Sequence, residues 1–554
     1  MIKRSIAVTA ILIMMLSALT GCGQTPNFLT GSAEQAVNTV RSDEIYIPIE
    51  KVRTLNPIVT KDEDAYYVNK LVYESLFGFD KNLALKNILA ERYSYAPDGT
   101  FVTVNLKQGI LWQDGKELTA ADVKFTMDVI AAASYSNSTL YAGNISNVKY
   151  TKLDNKDPYQ ITIYFNNPQN ISLSCLTFPI LPKHQFKSID TAKKPDPGFI
   201  PIGTGPYRVA EYNELSHLLL VGNEKYHGGE SPANTLHFQI IPEKRNAVNL
   251  MDVNNIAITF SKEIDRETIY ANRDVNVVNF PSNEVELIGY NFRNPLLKDS
   301  RVRKAIASAI NTEEIIESAY FKNGIRNENI YYPNFLGVSG MKTDHTFDIG
   351  RAKELLREAG FYDRNGDGTL ENAANQSITV NILVNTEDQS RLAAAQIIKE
   401  GLDQLPIHST ITSRDWNGYN TDLAAGNFDI YLGGYQIKEN YDLRFLLHSG
   451  YGNLIGYSNI AMDTLLDKME SGVSHEERQA AYQQVKEILA DELPYFCLLY
   501  KTYGAIASPS LRGEVEPSFM NLYEGVETWY SMLEVPAEPA EASEEEPGGE
   551  PEAY

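Results

Sequence analysis

The stretch Ile378-Thr379-Val380-Asn381-Ile382-Leu383-Val384 sets apolar Ile378, Val380 and Ile382 against Thr379 and Asn381, the alternation of a half-buried strand. Directly after it, Ala394, Ile398, Gly401 and Leu405 recur at helical spacing, and a second extended stretch, His408 to Thr412, follows. Strand, helix, strand in that order predicts a crossover unit, because parallel neighbours need a long connection where antiparallel ones need only a turn. A mixed α/β fold is the expectation.

Outward from this unit the same two periods recur. Val102, Val104 and Leu106 alternate with polar residues, as do Ile161, Ile163 and Phe165. Val123, Met127, Ile130 and Ala131 share a helical face, with Thr119 as N-cap and Asp122 completing a capping box. Val302, Ile306, Ala309 and Ile310 form another such face, ending near Asn311, which with Glu314 can cap a following helix. A chain of 554 residues with 43% hydrophobic residues has enough apolar surface for two or three folded domains. Its formal charge of −23 repels nucleic-acid phosphates, so nucleic acid is not an expected partner.

Both ends stand apart from the folded body. Lys3 and Arg4 precede an apolar run from Ile6 to Leu19, which is too short to span a bilayer and reads as an export signal over residues 1–21. Leu19-Thr20-Gly21-Cys22 resembles the lipobox of bacterial lipoproteins, which implies lipidation at Cys22 and a membrane anchor, with residues 22–40 as tether. Residues 534–554 hold eight Glu, four Pro and no Lys or Arg, the composition of a disordered acidic tail.

A search for catalytic chemistry yields little. There is no Gly-x-Ser-x-Gly elbow and no His-Glu-x-x-His, and the eight histidines show no i, i+4 pair. Gly203-Thr204-Gly205 lacks the third glycine of a dinucleotide loop, Arg208 standing in its place, and no cofactor is expected. Asp363, Asn365, Asp367, Gly368 and Glu371 follow a calcium-loop pattern whose position 12 is Ala374 instead of Glu, so a polar turn is the expected reading and no metal is assigned. Cys175 and Cys497 could pair outside the cell, yet both have the apolar neighbours of buried free thiols. The 33 Tyr, with Trp112, Trp416 and Trp529, suit pockets for amphipathic ligands, although most serve a core or its rim.

Several segments together carry a family likeness: Thr54-Leu55-Asn56-Pro57, Leu71-Val72-Tyr73-Glu74-Ser75-Leu76-Phe77, Pro97-Asp98-Gly99-Thr100, Leu118-Thr119-Ala120-Ala121-Asp122-Val123-Lys124-Phe125, Gly203-Thr204-Gly205-Pro206-Tyr207 and Arg301-Val302-Arg303-Lys304-Ala305-Ile306. In this order, after a lipobox, the chain resembles bacterial extracellular solute-binding proteins of family 5, the oligopeptide, dipeptide and nickel receptors of ABC importers. The resemblance implies a two-lobed α/β fold of the periplasmic-binding-protein type (type II, cluster C), with an extra subdomain inserted in the first lobe. Lobe one would comprise residues 41–70, 200–282 and 493–533, the insertion 71–199 and lobe two 283–492. It implies a monomeric, lipid-anchored receptor on the extracytoplasmic face of the cell membrane, without enzymatic activity. Such a receptor would enclose a peptide or peptide-like solute between its lobes and deliver it to ABC permease subunits. A surface hydrolase acting through carboxylates, whose dyad leaves no sequence pattern, and a peptide-sensing signalling lipoprotein are the alternatives.

Site residues follow only where the family pattern lines up. In peptide binders of this family a Trp, then an aromatic residue and, three positions on, an Asp that meets the peptide's α-amine lie in the lobe-two wall. Here these positions hold Trp416, Tyr435 and Lys438. Gln436, Asp442, Tyr141, Lys61 and Glu63 also fall at or near contact positions. A lysine repels a protonated amine. Three arrangements remain open: Glu439 or Asp442 supplies the carboxylate, the ligand is blocked or acidic, or Lys438 turns away into a salt bridge with one of those acids.

Overall fold

The computed structural model describes residues 39–167, 172–251, 253–262, 274–327, 329–338, 346–471 and 474–534. The expected export signal, Cys22 and residues 535–554 of the expected tail lie outside them. The chain divides into two units, Asp43–Ser531 and a second made of Met1–Ser42 with Met532–Tyr554. The described part of the second holds strand Thr39–Ser42 and the end of strand Tyr530–Glu534. Among the described residues no helix is long and apolar enough to cross a membrane.

Within Asp43–Ser531, the crossover unit forms as its periodicity predicts. Strands Thr379–Asn385 and His408–Arg414 pair in parallel, from Thr379 opposite His408 to Asn385 opposite Arg414, and helix Gln389–Leu402 connects them. The helix starts at Asp388, whose carboxylate accepts the Arg391 N–H at 3.0 Å. It stops three residues before Leu405, because Pro406 disfavours helical backbone at the residue preceding it. Val380, Ile382 and Val384 pack with Ala394, Ile398 and Leu402 and with Val302 and Ile306 of helix Ser300–Ser308 in one buried cluster. Burying each Ile or Leu contributes roughly 1.5–3 kcal/mol.

The same sheet extends through Ile430–Gln436 to two long antiparallel strands, Asn276–Tyr290 and Tyr495–Ala507, and to Ile258–Ser261. The long pair runs from Asn276 opposite Ala507 to Gly289 opposite Tyr495, with a register shift between Pro281 and Val285. Pro281 has no N–H to give the ladder, which accounts for a break there. The expected boundary between residues 282 and 283 lies inside this strand. That between residues 70 and 71 lies inside helix Glu63–Val72, which continues through it.

A second sheet orders Glu44–Ile49, Thr235–Ile240, His217–Gly222 and Tyr207–Asn213, the first pair parallel and the others antiparallel. A third is wholly antiparallel: Ala90–Tyr95, Phe101–Leu106, Gln160–Phe165 and Val148–Leu153. Its alternating Val102, Val104, Ile161 and Ile163 are buried. Helix Ala120–Ser134 contacts this sheet and opens with the expected capping box, the Thr119 N–H donating to Asp122 at 2.9 Å.

Candidate functional site

Three stretches distant in sequence meet around Glu439. On helix Glu63–Val72, Tyr66 and Lys70 lie one turn apart on the same face. The Tyr66 hydroxyl donates to Glu439 Oε1, and the Lys70 ammonium lies 3.8 Å from the same oxygen and 4.5 Å from the centroid of the Tyr66 ring. Tyr141 joins them electrostatically. Burial, Glu439 and Tyr141 hold the Tyr66 phenol well above its ordinary range, and burial followed by Glu439 does the same for Tyr141. For Lys70, burial pulls the ammonium's pKa down while Glu439 opposes the shift, and Nζ donates to the Met520 carbonyl.

Lys438 sits beside this group. The preceding Ile437 is buried, its N–H bonded to Asn283 O at 2.9 Å and its carbonyl accepting from the Asn283 side chain at 2.6 Å. The Lys438 carbonyl accepts the Tyr441 N–H at 2.9 Å, closing a turn. With the backbone so fixed, the exposed Lys438 side chain reaches toward Gly143, and its Nζ lies 3.9 Å from where a Cβ on that glycine would stand. Among the described residues its ammonium forms no ion pair and no hydrogen bond. Asp442 is held by Arg444 in a bidentate contact, with Nε 2.9 Å and Nη2 2.7 Å from its two oxygens.

Aromatic residues continue from this turn. Tyr435 shares a 2.8 Å hydroxyl contact with Tyr431, and its ring lies 5.6 Å from that of Phe445, which is 41% exposed. The Tyr419 hydroxyl donates to Leu432 O at 2.6 Å, and Trp416, 52% exposed, stacks on the Tyr419 ring at 5.7 Å. Trp416 opens helix Trp416–Ala425, where Asp415 accepts the Gly418 N–H at 2.7 Å. Behind this strip Glu286 is buried and bonded to Arg391 at 2.8 and 3.0 Å, with Lys501 3.2 Å away. Gly434 leaves room for that pair, since a Cβ there would lie 2.0 Å from Arg391 Nη2.

The structure thus brings Lys438 and Tyr141 to one place, while Tyr435 and Trp416 belong to the adjoining aromatic strip. Gln436 is exposed at the end of its strand, opposite Glu284. Lys61 donates to Asn137 O at 2.7 Å, and Glu63 pairs with Lys262 at 3.0 Å. Tyr66 and Lys70 were not legible as site residues, although their i, i+4 spacing on a helix is a signal that places them together. A cavity of about 360 Å³ lies elsewhere, between helix Ala120–Ser134 and strand Val148–Leu153, and none of the expected ligand contacts line it.

The calcium-like loop spends its carboxylates on its own backbone: Asp363 accepts from Gly366 and Gly368 at 2.7 and 3.1 Å, and Glu371 from Arg364 at 3.0 Å. Cys175 and Cys497 are both free thiols, and burial pushes Cys175 up to about 12 and Cys497 higher still.

With this geometry in place, comparison with known proteins is decisive. The profile of the bacterial extracellular solute-binding proteins, family 5, matches residues 84–453. The chain belongs to this family. This solute-binding protein is 24% identical over 546 residues to the oligopeptide-binding protein AppA of Bacillus subtilis, covering 95% of this chain and 99% of AppA. It is also 24% identical over 479 residues to the glutathione-binding protein GsiB of Escherichia coli, covering 83% of this chain and 89% of GsiB. Among solved structures, the unliganded open form of the periplasmic murein tripeptide binding protein MppA superposes with a TM-score of 0.74 at 17% identity, covering 90% of this chain and 99% of MppA. A nickel ABC transporter protein of Bacillus halodurans gives 0.72 at 18% identity, covering 86% and 98% of the two chains. These neighbours show the two-lobed periplasmic-binding-protein fold.

The segments that mark the solute-binding family are structural in this chain. Asn56 donates to Ala192 O at 2.8 Å and Thr54 to Asp196 O at 2.7 Å. Asp122 accepts the Lys183 N–H at 2.9 Å, and Tyr207 donates to Asn234 at 2.6 Å. Arg303, buried and 4.4 Å from the Phe292 ring centroid, donates to the carbonyls of Leu297, Glu492 and Leu493. Such residues report the fold and leave the ligand unspecified.

Proposed function

We propose that this protein is a lipid-anchored extracytoplasmic receptor that encloses a peptide or peptide-like solute between its two lobes and delivers it to an ABC importer. The observation that carries the reading is the convergence of helix Glu63–Val72, the Tyr141–Gly143 segment and the Lys438–Glu439 turn beside a strip of partly exposed aromatic rings. Polar groups facing one another across chain segments, next to Trp and Phe surface, suit a ligand with a polar backbone and varied side chains. The peptide-binding names of AppA and MppA agree with it, as does the lipobox for attachment at Cys22. On this reading lobe one, the inserted subdomain and lobe two take the boundaries given above, with the first division placed after Val72 so that the helix stays whole.

Residues 23–533, purified without the signal, should gain thermal stability with a mixed peptide pool. A ligand bound only by the folded state and present at 100 times its Kd stabilises by about 2.7 kcal/mol. No shift with peptide, oligosaccharide or metal-chelate pools counts against a receptor. Turnover of the bound compound, abolished by one carboxylate substitution, would assign a hydrolase instead.

A further inference from the structure

Resting on the receptor reading, we infer that the solute presents a carboxylate to Lys438, so that the preferred ligand class is an acidic or N-acylated, carboxylate-bearing peptide and not a peptide with a free α-amine at this position. The argument comes from the state of the charges around the turn. Glu439 is engaged by Tyr66 and Lys70, and Asp442 by both arms of Arg444. Both oxygens of Asp442 are taken, and Oε1 of Glu439 is shared by a hydroxyl and an ammonium, which offsets its charge. Lys438 is the charge left over: its Nζ faces Gly143 on another segment, 3.9 Å from the Cβ position there, and among the described residues no carboxylate answers it.

The backbone of the turn is pinned by Asn283 and by the Tyr441 N–H, which fixes where the flexible Lys438 stem begins. An ammonium without an ion-pair partner attracts an anion brought into contact with it, and it repels a second cation at the same distance. Gly143 presents only a hydrogen there, so residue 143 has no side chain to compete with a ligand group for that ammonium.

The test uses the full-length lipidated chain in detergent micelles and one pentapeptide sequence in three forms: free α-amine, N-acetyl and N-succinyl, the last placing a carboxylate where the amine would be. Calorimetric titration of the wild type should rank succinyl at least about tenfold tighter than free amine, with acetyl between them. Lys438→Asp should reverse the order, and Lys438→Gln should flatten it while keeping binding; ligand-free melting of each variant confirms folding. Equal affinities for the three forms, or a free-amine preference that Lys438→Asp leaves unchanged, overturns the inference while the receptor reading stands. Binding of none of the three across several pentapeptide sequences overturns both.

Discussion

Gly203 has no room for a side chain: a Cβ there would lie 1.7 Å from the carbonyl oxygen of Val72, and one on Gly205 2.7 Å from that of Leu71. The Gly205 N–H donates to the same Val72 carbonyl at 2.9 Å, satisfying a helix C-terminal acceptor that would otherwise be left open. The glycine pair therefore lets one segment lie flat against the end of helix Glu63–Val72, the helix that carries Tyr66 and Lys70. Gly203→Ala must push backbone from backbone, and neither side is a flexible side-chain tip. A loss of about 3 kcal/mol or more in urea unfolding is expected, at the upper end for overpacking. A change below about 1 kcal/mol would show that the contact is not held in solution.

At the scale of elements, helices Ile460–Glu470 and His475–Glu492 pack together and bury a carboxylate between them. Glu470 has a single 3.4 Å contact with Arg478, whose Nε lacks a partner among the described residues. Burial outweighs Arg478, and Asp442 adds to it while Arg444 opposes, so the carboxyl is raised from 4.5 to about 7. A raised folded pKa means stability fully present below pH 4.5 and lost as pH rises through 7. Glu470→Gln mimics the protonated form. Its stability relative to wild type should rise by up to about 3 kcal/mol between pH 5 and pH 8, read from urea titrations at each pH. A difference independent of pH would place the charge of Glu470 outside the core.

Elements also differ in how plainly the sequence announces them. Strand Thr379–Asn385 and the antiparallel sheet around Val102 and Ile163 were legible because one face is buried and the other is not, which imposes a period of two. Helix Glu63–Val72 was not, because it buries polar Asp64 and Asn69 alongside Val68 and Leu71, which blurs its apolar stripe. Strand Asn276–Tyr290 hides for a similar reason: Pro281, Ser282 and Asn283 interrupt it, so it resembles a loop. The site is harder still. Tyr66 and Glu439 are 373 positions apart, and no spacing rule reaches that far; only likeness to a family pointed at Lys438 and Tyr141.

For the whole molecule, Glu439 ties the turn that carries it to helix Glu63–Val72, far away in sequence, through Tyr66 and Lys70. A contact of this kind depends on both partners, since removing one leaves the other without its counter-charge. Glu439→Gln keeps the shape but leaves the Lys70 ammonium, whose pKa burial already lowers, with the Met520 carbonyl and no carboxylate. Ligand affinity should fall about tenfold, on the order of 1.4 kcal/mol, with the change in koff and little in kon, because closure follows encounter. Lys70→Met removes that ammonium, so the same Glu439→Gln step made in that background should cost less than half as much. Stopped-flow binding of the four proteins in this cycle measures the coupling. Equal costs in both backgrounds would mean that Glu439 and Lys70 act independently, and the 3.8 Å contact between them would then contribute nothing to binding.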